Sequence, residues 1–305
     1  MAVPTRTFQI IKLIQPSIFN SVSLLHVITM FLGVVSAHSQ ASDNFIDNFS
    51  RVDGAIYFTT LSSTSESQLY YERLLKLALD NTIEDDGRYT LLRYPVPMDQ
   101  SKQIATIKSA DADVMWTMST AKRRREMLAV EFPLLRGMLG KRVFLVSREN
   151  RHAFKGLSTE QLKQRIAVQG TGWPDTQVLK NNGFSVSAVA WYDWQFGISK
   201  LLTTNVVDYF PRSILEAQAE LGLPHNQALT IEPYHLLEYP AYIYFFVNPK
   251  KPKLQQRILA GLEAAERNGE FEKLFKSFPS YDDGMAILNE NRQVHKLKRT
   301  DTSSK

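Results

Sequence analysis

A short stretch in the middle of the chain has the residue types and spacing of an anion-binding turn. An apolar strand that starts at Ile166 runs into Gly170-Thr171-Gly172, and a helix opens at Asp175. A glycine-flanked threonine between a strand and a helix can present free backbone N–H groups, and the helix dipole adds partial positive charge there. The turn could therefore hold a carboxylate or a phosphate without a lysine. The same residues also fit an ordinary strand-to-helix connection that binds nothing, and the sequence leaves both interpretations open.

The elements around this turn follow an α/β pattern. Capping-box spacing at Ser65 and at Ser158 predicts two helix starts, while Pro174 and Asn182-Gly183 predict the two ends of the helix after the turn. An apolar stripe broken at Asn268-Gly269 predicts the closing helices. Apolar or aromatic runs predict strands at residues 55–58, 89–94, 113–116, 142–147, 166–168, 206–210 and 242–247. Because helices and strands alternate, we expect a mainly parallel sheet covered on both faces.

The first 37 residues have the pattern of an export signal. Residues 1–21 contain Arg6 and Lys12 but no acidic residue, residues 22–37 are largely apolar, and Ala37 ends a run of small residues. The apolar core of about 16 residues is shorter than the roughly 20 of a spanning helix, which favours cleavage after Ala37 or Ala41 over an uncleaved anchor. The chain has no cysteine, which excludes a lipid-bearing cysteine, so we expect a periplasmic protein of a Gram-negative bacterium.

The composition also argues against several classes of protein. Six histidines are scattered without metal-ligand spacing, so we expect no metal site. The net charge of +5 comes partly from the signal and from a basic terminus at residues 283–305, which we expect to be disordered. Basic residues are not interleaved with aromatic ones, so no nucleic-acid partner is expected. No nucleophile elbow or phosphate-binding loop is present; we expect no enzyme and no cofactor, although a hydrolase with well-separated carboxylates stays open.

The length allows one large domain or two of ordinary size. Residues 142–147 and 242–247 are apolar extended runs that each follow a turn. If both cross between lobes, residues 50–140 and 239–282 form a first, discontinuous lobe and residues 141–238 form an inserted second lobe. The alternative is that both runs are core strands of a single sheet.

Several motifs occur in an order that resembles a known family. Ala112-Asp113-Val114 is followed by Thr120-Ala-Lys-Arg123 and Phe132-Pro133, then by Ile166-Ala-Val-Gln-Gly-Thr-Gly172 and Val206-Val207-Asp208-Tyr209. Over roughly residues 50–280 this order resembles the type 2 periplasmic solute-binding proteins, especially the amino-acid-binding branch of ABC uptake systems. The resemblance implies a two-lobed α/β fold with two hinge crossings that closes around a small solute.

The resemblance also implies a ligand site. Arg123 corresponds to the family's arginine that clamps a ligand carboxylate, and the amides of Thr171 and Gly172 would meet the same group from the other lobe. Arg123 lies in a basic run, however, so the role could fall to Arg124, or the run could be a solvated helix face. The full set of predicted ligand-binding residues is Trp116, Thr120, Arg123, Gly170, Thr171, Gly172, Trp173, Tyr209 and Arg212.

One position departs from the family's pattern. Where amino-acid binders place an aspartate for the ligand's ammonium, this chain reads Pro211-Arg212-Ser213. Arg212 would favour a second negative group, which leads to the hypothesis of a ligand with two acidic or strongly polar ends. Alternatively, Arg212 pairs with Glu216 on the following turn.

Large aromatic residues could form stacking walls of the cleft. Trp116, at a strand end, and Trp173, in the turn, are the best candidates. Of the whole aromatic set we expect at least half to be core residues; the others are Trp191, Tyr192, Trp194 and Tyr209.

The sequence thus predicts an exported, monomeric solute-binding protein for a small anionic or zwitterionic ligand, amino-acid-like or a dicarboxylate. Its expected partner is an inner-membrane ABC permease. The alternative is a sensory domain of the same fold that signals to a membrane protein, and an exported hydrolase is a third reading.

Overall fold

A computed structural model describes residues 51–61, 66–190 and 194–299 of the chain. The export signal, the capping residue Ser65, Trp191 and Tyr192, and the side chain of Trp194 lie outside the described residues. All elements below belong to the compact unit that begins at Asp53.

Twelve strands and eleven α-helices are found in the described ranges. The strands are β1 Ile56–Phe58, β2 Leu91–Arg93, β3 Val114–Met118, β4 Leu128–Ala129, β5 Lys141–Ser147, β6 Ile166–Gly170, β7 Ser185–Val189, β8 Phe210–Ser213, β9 Leu229–Ile231, β10 His235–Glu238, β11 Ile243–Val247 and β12 Gln293–Lys296. The helices are α1 Glu66–Asp80, α2 Ile83–Asp86, α3 Gln100–Ser109, α4 Ala121–Glu126, α5 Thr159–Gln164, α6 Pro174–Asn181, α7 Trp194–Thr203, α8 Ala217–Leu221, α9 Pro252–Arg267, α10 Glu270–Lys276 and α11 Tyr281–Leu288.

The first sheet has the strand order β2-β1-β3-β11-β4. Strands β2, β1 and β3 run parallel, whereas β11 runs antiparallel to both β3 and β4. The prediction of a mainly parallel fold is therefore wrong in part, because β11 enters this sheet from the opposite direction after the chain returns from the second sheet.

The second sheet has the order β12-β10-β5-β8, with β9 also paired to β5. Strands β6 and β7 form a parallel pair, and Ala167 of β6 forms a bridge with Tyr209 beside β8. We call the first sheet with the helices packed on it the first region, and β5 to β10 with their helices the second region. The segments 142–147 and 242–247 thus belong to different sheets, and the chain passes between the regions through residues 130–140 and 239–242.

Local sequence explains most element boundaries. Ser158 forms the capping box of α5 with Gln161, and Pro174 occupies the first turn of α6. Asn182 is the C-cap of that helix, and Gly183 follows with a φ of 84°. Only the strand predicted at 206–210 is displaced, starting at Phe210, because Asn205 adopts a left-handed φ of 57° and the chain turns before it.

The chain terminus corrects the sequence prediction. The expectation that residues 283–305 are disordered is wrong for the described part up to Arg299, where α11 is followed by β12, which pairs in parallel with β10. Although this terminal segment is basic, its side chains alternate along the strand: His295 and Leu297 are buried, and the residues next to them face solvent. Within the described ranges, no helix is both long and apolar enough to cross a membrane.

The contact between α1 and α9 holds the first region together. The α1 stripe of Leu74, Leu75, Ala78 and Leu79 is fully buried, as are Ile258 and Leu262 of α9. Gly261 lies where the two helices touch, since a β-carbon at this position would lie 1.8 Å from the carbonyl oxygen of Ala78. The absence of a side chain at Gly261 permits this close approach.

We predict that Gly261→Ala destabilises the protein by about 3 kcal/mol, because the added methyl must push the two helix backbones apart. Urea unfolding measures the change. Gly222→Ala is the matched control: its β-carbon would meet carbonyl oxygens only at 3.4 and 3.5 Å, so we expect a change within about 0.5 kcal/mol. Equal effects of both substitutions would contradict the assigned contact.

Candidate functional site

A cavity of about 620 Å³ lies between helices of the two regions. One wall comes from α3 and α4, which pack on the first sheet, and the other from the turn before α6 and from α6 itself, which packs on β6 and β7. Four of the predicted ligand-binding residues line it together, namely Thr120, Arg123, Gly172 and Trp173. The cavity therefore brings the two separate sequence motifs to one place.

Arg123 is held firmly at the wall of this cavity. Its side chain is buried; Nη1 donates to Thr117 Oγ1 and to the Met118 carbonyl at 2.7 Å each, and Nη2 donates to Gln100 Oε1 at 2.6 Å. Thr120 is the N-cap of α4, accepting from the Arg123 amide at 3.1 Å. Thr120 thus has a local structural role, and the hydrogen bonds of Arg123 fix the direction of its guanidinium.

The charged residues that line the cavity are mostly basic. Lys108, Lys122 and Arg123 carry positive charge, and the one carboxylate of the lining, Glu126, lies 3.2 Å from Lys108 in an ion pair. An excess of positive charge in a concave site attracts anions. All three cations belong to the first region, so an anionic group of a ligand would be drawn towards α3 and α4.

The turn at residues 170–172 does not form the anion cradle that its sequence suggests. The Thr171 amide donates to the Val189 carbonyl at 2.8 Å, which continues the pairing of β6 with β7 by one residue. Thr176 Oγ1 donates to the Gly170 carbonyl at 2.8 Å and ties the helix back to the strand. The prediction that the Thr171 amide meets a ligand is therefore contradicted in this conformation, whereas Gly172 does line the cavity.

A carboxylate of the protein occupies the first turn of α6. Asp175 Oδ1 accepts from Arg142 Nη2 at 2.6 Å and from the Tyr239 hydroxyl at 2.5 Å, and Arg142 Nη1 lies 3.3 Å from Glu216 Oε2. The side chains of Arg142 and Asp175 are only 2% and 7% exposed. Burial alone would lower the pKa of Arg142, but Asp175, Tyr239 and Glu216 more than offset this, so its pKa is raised and it stays charged.

Arg212 pairs with carboxylates of the protein, as the alternative interpretation of its sequence position predicts. Its guanidinium forms ion pairs with Glu216 at 3.4 Å and with Glu220 at 3.3 Å. The guanidinium carbon also lies 5.5 Å from the ring centroid of Trp173. Two carboxylates of the protein thus already compensate Arg212, and the geometry favours an internal pair over a second anion site.

Trp173 rests directly on the strand before it. A β-carbon at Gly170 would lie 2.6 Å from the indole ring, so only glycine lets the ring lie against the backbone there. Gly170 therefore positions Trp173 rather than a ligand. The ring, held between Gly170 and Arg212, lines the cavity as a fixed wall.

One predicted site residue belongs to the hydrophobic core and a second packs against it. Tyr209 is fully buried between Phe144 and Phe154, with ring centroids 4.5 and 5.7 Å away, and the ligand role predicted for it is wrong. The position of Tyr209 beside β8 turns its ring towards the core. This burial raises the pKa of the Tyr209 hydroxyl. Trp116 is half-buried and stacks on Tyr71 of α1, with ring centroids 5.4 Å apart, and the ligand role predicted for it stays a prediction.

Sequence reasoning missed several residues of the site. Gln100, Lys108, Gln177 and Asn181 line the cavity, but as polar residues on amphipathic helices they give no motif. Within residues 51–61, 66–190 and 194–299, no three histidine or acidic side chains are arranged to hold a metal ion.

Comparison with known proteins identifies the fold. No protein-family model and no curated protein matches the sequence. Among solved structures, an ancestral arginine-binding protein bound to arginine is 17% identical and has a TM-score of 0.56, covering 75% of this chain and 100% of its own. A histidine kinase sensor domain with similarity to periplasmic binding proteins has 14% identity and a TM-score of 0.56 over 74% and 96% of the two chains.

A third structure comes from work on glutathione import through GshT and the cystine ABC importer TcyBC of Streptococcus mutans. It has 14% identity and a TM-score of 0.56, covering 76% of this chain and 100% of its own. The chain therefore has the two-lobed fold of type 2 periplasmic binding proteins, as the sequence motifs predict.

We predict that Asp175→Ala destabilises the protein by about 3–5 kcal/mol, because it leaves the guanidinium of Arg142 buried without its closest carboxylate. Urea unfolding of Asp175→Ala, Arg142→Ala and the double variant gives the coupling energy. Glu160→Ala, which removes the surface ion pair with Lys163, is the control and should cost less than about 1 kcal/mol. A cost for Asp175→Ala as small as that of the control would contradict the buried pair.

Proposed function

We propose that this chain is an exported solute-binding protein that closes on a small anionic or zwitterionic ligand, amino-acid-like or a dicarboxylate, for ABC-type uptake. The observation that carries the proposal is the cavity between α3 and α4 on one side and α6 on the other, with Arg123 fixed at its wall. Its volume is that of a small-molecule site, and its walls come from two regions, as ligand-induced closure requires.

The lobe boundaries belong to the same proposal. Residues 50–140 and 239–282 would move as one lobe and residues 141–238 as the other, with β12 travelling with the second. The two passages touch each other: the Tyr239 amide donates to the Gly140 carbonyl at 3.1 Å, and a β-carbon at Gly140 would lie 1.8 Å from the Tyr239 carbonyl oxygen. Such a close pair of connecting segments is suited to act as a hinge.

The charges in the cavity support a ligand with one anionic group near the first region. Lys122 and Arg123 line the cavity on that side, as does Lys108, which forms an ion pair with Glu126. Arg212 is already compensated by Glu216 and Glu220, so a second anionic group of the ligand gains less from it. The polar amides of Gln100, Gln177 and Asn181 suit a ligand that also carries hydrogen-bonding groups.

A sensory role is the second candidate. One of the structural relatives is a histidine kinase sensor domain, and the same fold can pass ligand occupancy to a membrane partner instead of delivering the ligand to a permease. Both candidates require ligand binding in the cavity. Neighbouring genes would distinguish them, since permease and ATPase genes favour uptake and a kinase or cyclase gene favours signalling.

Thermal unfolding and calorimetric titration test ligand binding. The panel comprises arginine, glutamine, glutathione, cystine, neutral amino acids and dicarboxylates. A ligand at 100 times its dissociation constant stabilises the folded protein by about 2.7 kcal/mol, so we expect at least one compound of the panel to raise the Tm. If an extended metabolite screen also produced no shift, the ligand-binding proposal would fail.

A pair of variants locates the binding. Ala105 lines the cavity on α3, whereas Lys102 is exposed on the same helix and does not line it. We expect Ala105→Trp to abolish the ligand-induced shift by filling the cavity, and Lys102→Trp to leave it unchanged. A ligand that stabilises both variants equally would bind somewhere else.

A further inference from the structure

The segment from Gln293 to Arg299, which we call the clasp, joins the two regions a third time. Its strand β12 pairs with β10 of the second sheet. Beyond the strand, the Asn182 side chain exchanges two hydrogen bonds with the backbone of Lys298, at 2.7 and 2.9 Å. The Arg299 guanidinium then donates to the carbonyls of Ser119 and Pro240, the first of which lies in the first region.

A pair of buried histidines fastens the clasp to the second region. His295 Nε2 of the clasp lies 2.9 Å from His235 Nδ1 of β10. His235 Nε2 lies 2.7 Å from the Phe154 carbonyl, and His295 Nδ1 lies 2.8 Å from Thr159 Oγ1. The four groups form one continuous chain of hydrogen bonds.

The donors and acceptors of this chain are fixed by chemistry. A carbonyl can only accept, so His235 carries its proton on Nε2, and in the neutral ring Nδ1 must accept. His295 therefore donates from Nε2, and its Nδ1 accepts the hydroxyl proton of Thr159. Two neutral rings satisfy every group with one arrangement of protons.

Added protons disturb this arrangement in two steps. A first proton on His295 can be accommodated if the Thr159 hydroxyl rotates to accept it, but it places a charge in a buried site. A second proton puts N–H groups on both facing nitrogens, and the 2.9 Å contact between the rings becomes repulsive. Acid thus weakens the attachment of the clasp.

The charged neighbours do not relieve this cost. Arg292, which precedes the clasp, lowers the pKa of His235 further, after burial. Glu232 accepts from the amides of Tyr234 and His235 and lies 3.7 Å from Arg292, so its carboxylate is already engaged; burial raises its pKa to about 7. His152 bonds to the Tyr234 hydroxyl at 2.6 Å, Glu238 on β10 bonds to Lys141, and Lys296, the neighbour of His295, is exposed.

The far end of the clasp reaches the candidate site and the hinge. Ser119, which accepts from Arg299, precedes Thr120, the N-cap of the helix that carries Arg123. Pro240, the second acceptor, lies in the passage between β10 and β11. Release of the clasp would therefore remove a bond to each of these segments.

We propose that residues 293–299 are a proton-sensitive clasp, which ties the two regions together while His235 and His295 are neutral and releases them when the pair takes up protons. The clasp adds a pH dependence to lobe closure and acts whether or not a ligand is bound.

The direction of the effect follows from the pKa values. Burial, and then the neighbouring His235, lowers the pKa of His295 to about 4 from an ordinary value near 6.5. Because the folded pKa is depressed, the neutral pair contributes its full stabilisation above about pH 6.5 and loses it progressively as the pH falls towards 4. Glu232 has the opposite effect, because its raised pKa stabilises the folded form as the pH falls. Every variant that is compared must therefore keep Glu232.

Hydrogen exchange of the full chain tests the clasp directly. After correction for intrinsic rates, we expect the titration of His295 to lower the protection of residues 293–297 about twentyfold between pH 7 and pH 5, measured as the change in the wild type relative to that in His295→Gln, where Glu232 still titrates and residue 295 does not. Peptides that contain Ser119 and the start of α4 should lose protection in the same pH range. An equal change of clasp protection with pH in the wild type and in His295→Gln would overturn the proposal.

His295→Gln provides the matched variant. The glutamine amide can donate to His235 Nδ1 and its oxygen can accept from Thr159, but it does not titrate. We expect it to flatten the pH dependence of protection, whereas His225→Gln, in the 3-10 turn Pro224–Asn226 away from the clasp, should leave it as in the wild type. A His295→Gln protein that keeps the wild-type pH dependence would contradict the proposal.

Nitrogen NMR of the wild-type histidine rings covers the case in which His295→Gln fails to fold. At neutral pH both rings should show the neutral Nε2–H tautomer that the hydrogen-bond chain dictates. A charged ring at either position at neutral pH, or the opposite tautomer, would contradict the assigned arrangement.

Discussion

The buried guanidinium of Arg142 is the constraint around which the rest of the site is arranged. It lies at the start of β5, where the chain first enters the second sheet, and it stays charged only because Asp175, Glu216 and Tyr239 surround it. A buried ion pair adds little net stability compared with apolar packing, but removing one partner is costly. Such a pair therefore fixes the relative position of the two segments that carry the charges. Here the pair fixes the first turn of α6 against β5 and, through Tyr239, against the second passage between the regions, and α6 is one wall of the cavity.

This arrangement determines which positive charges of the cavity a ligand can contact. The helix dipole and the arginine nearest to the N-terminus of α6 are already matched with a carboxylate of the protein. Arg212 is matched in the same way, and the basic residues that line the cavity, Lys108, Lys122 and Arg123, all belong to the other region. An anionic ligand would thus contact the second region through shape and amide groups, and closure would depend less on a shared anion than the sequence motifs suggest.

The sequence predicts features that depend on local chemistry and misses those that depend on distant partners. Pro174, Asn182 and Gly183 determine the ends of α6 within one stretch of chain, and the structure agrees with the prediction. The motif order also predicts the fold. In contrast, whether the Thr171 amide is free depends on Val189, and the pairing of Arg142 with Asp175 joins residues 33 positions apart. Composition alone likewise suggested a disordered terminus, because the partner that orders β12 is the distant strand β10.

The ordered terminus changes what lobe closure requires. Two adjacent passages, such as those that meet at Gly140 and Tyr239, allow rotation because both lie near one axis. A third connection adds a constraint on rotation, since its bonds must stretch or break when the lobes separate. The bond of Arg299 to Ser119 is a third connection, because it joins the segment after β12 to the segment before α4, whereas the bond of Arg299 to Pro240 lies at the passage itself. In the proposed clasp, the contact between the two neutral histidines adds to the strand pairing that attaches β12, and this attachment would contribute to the free energy of opening.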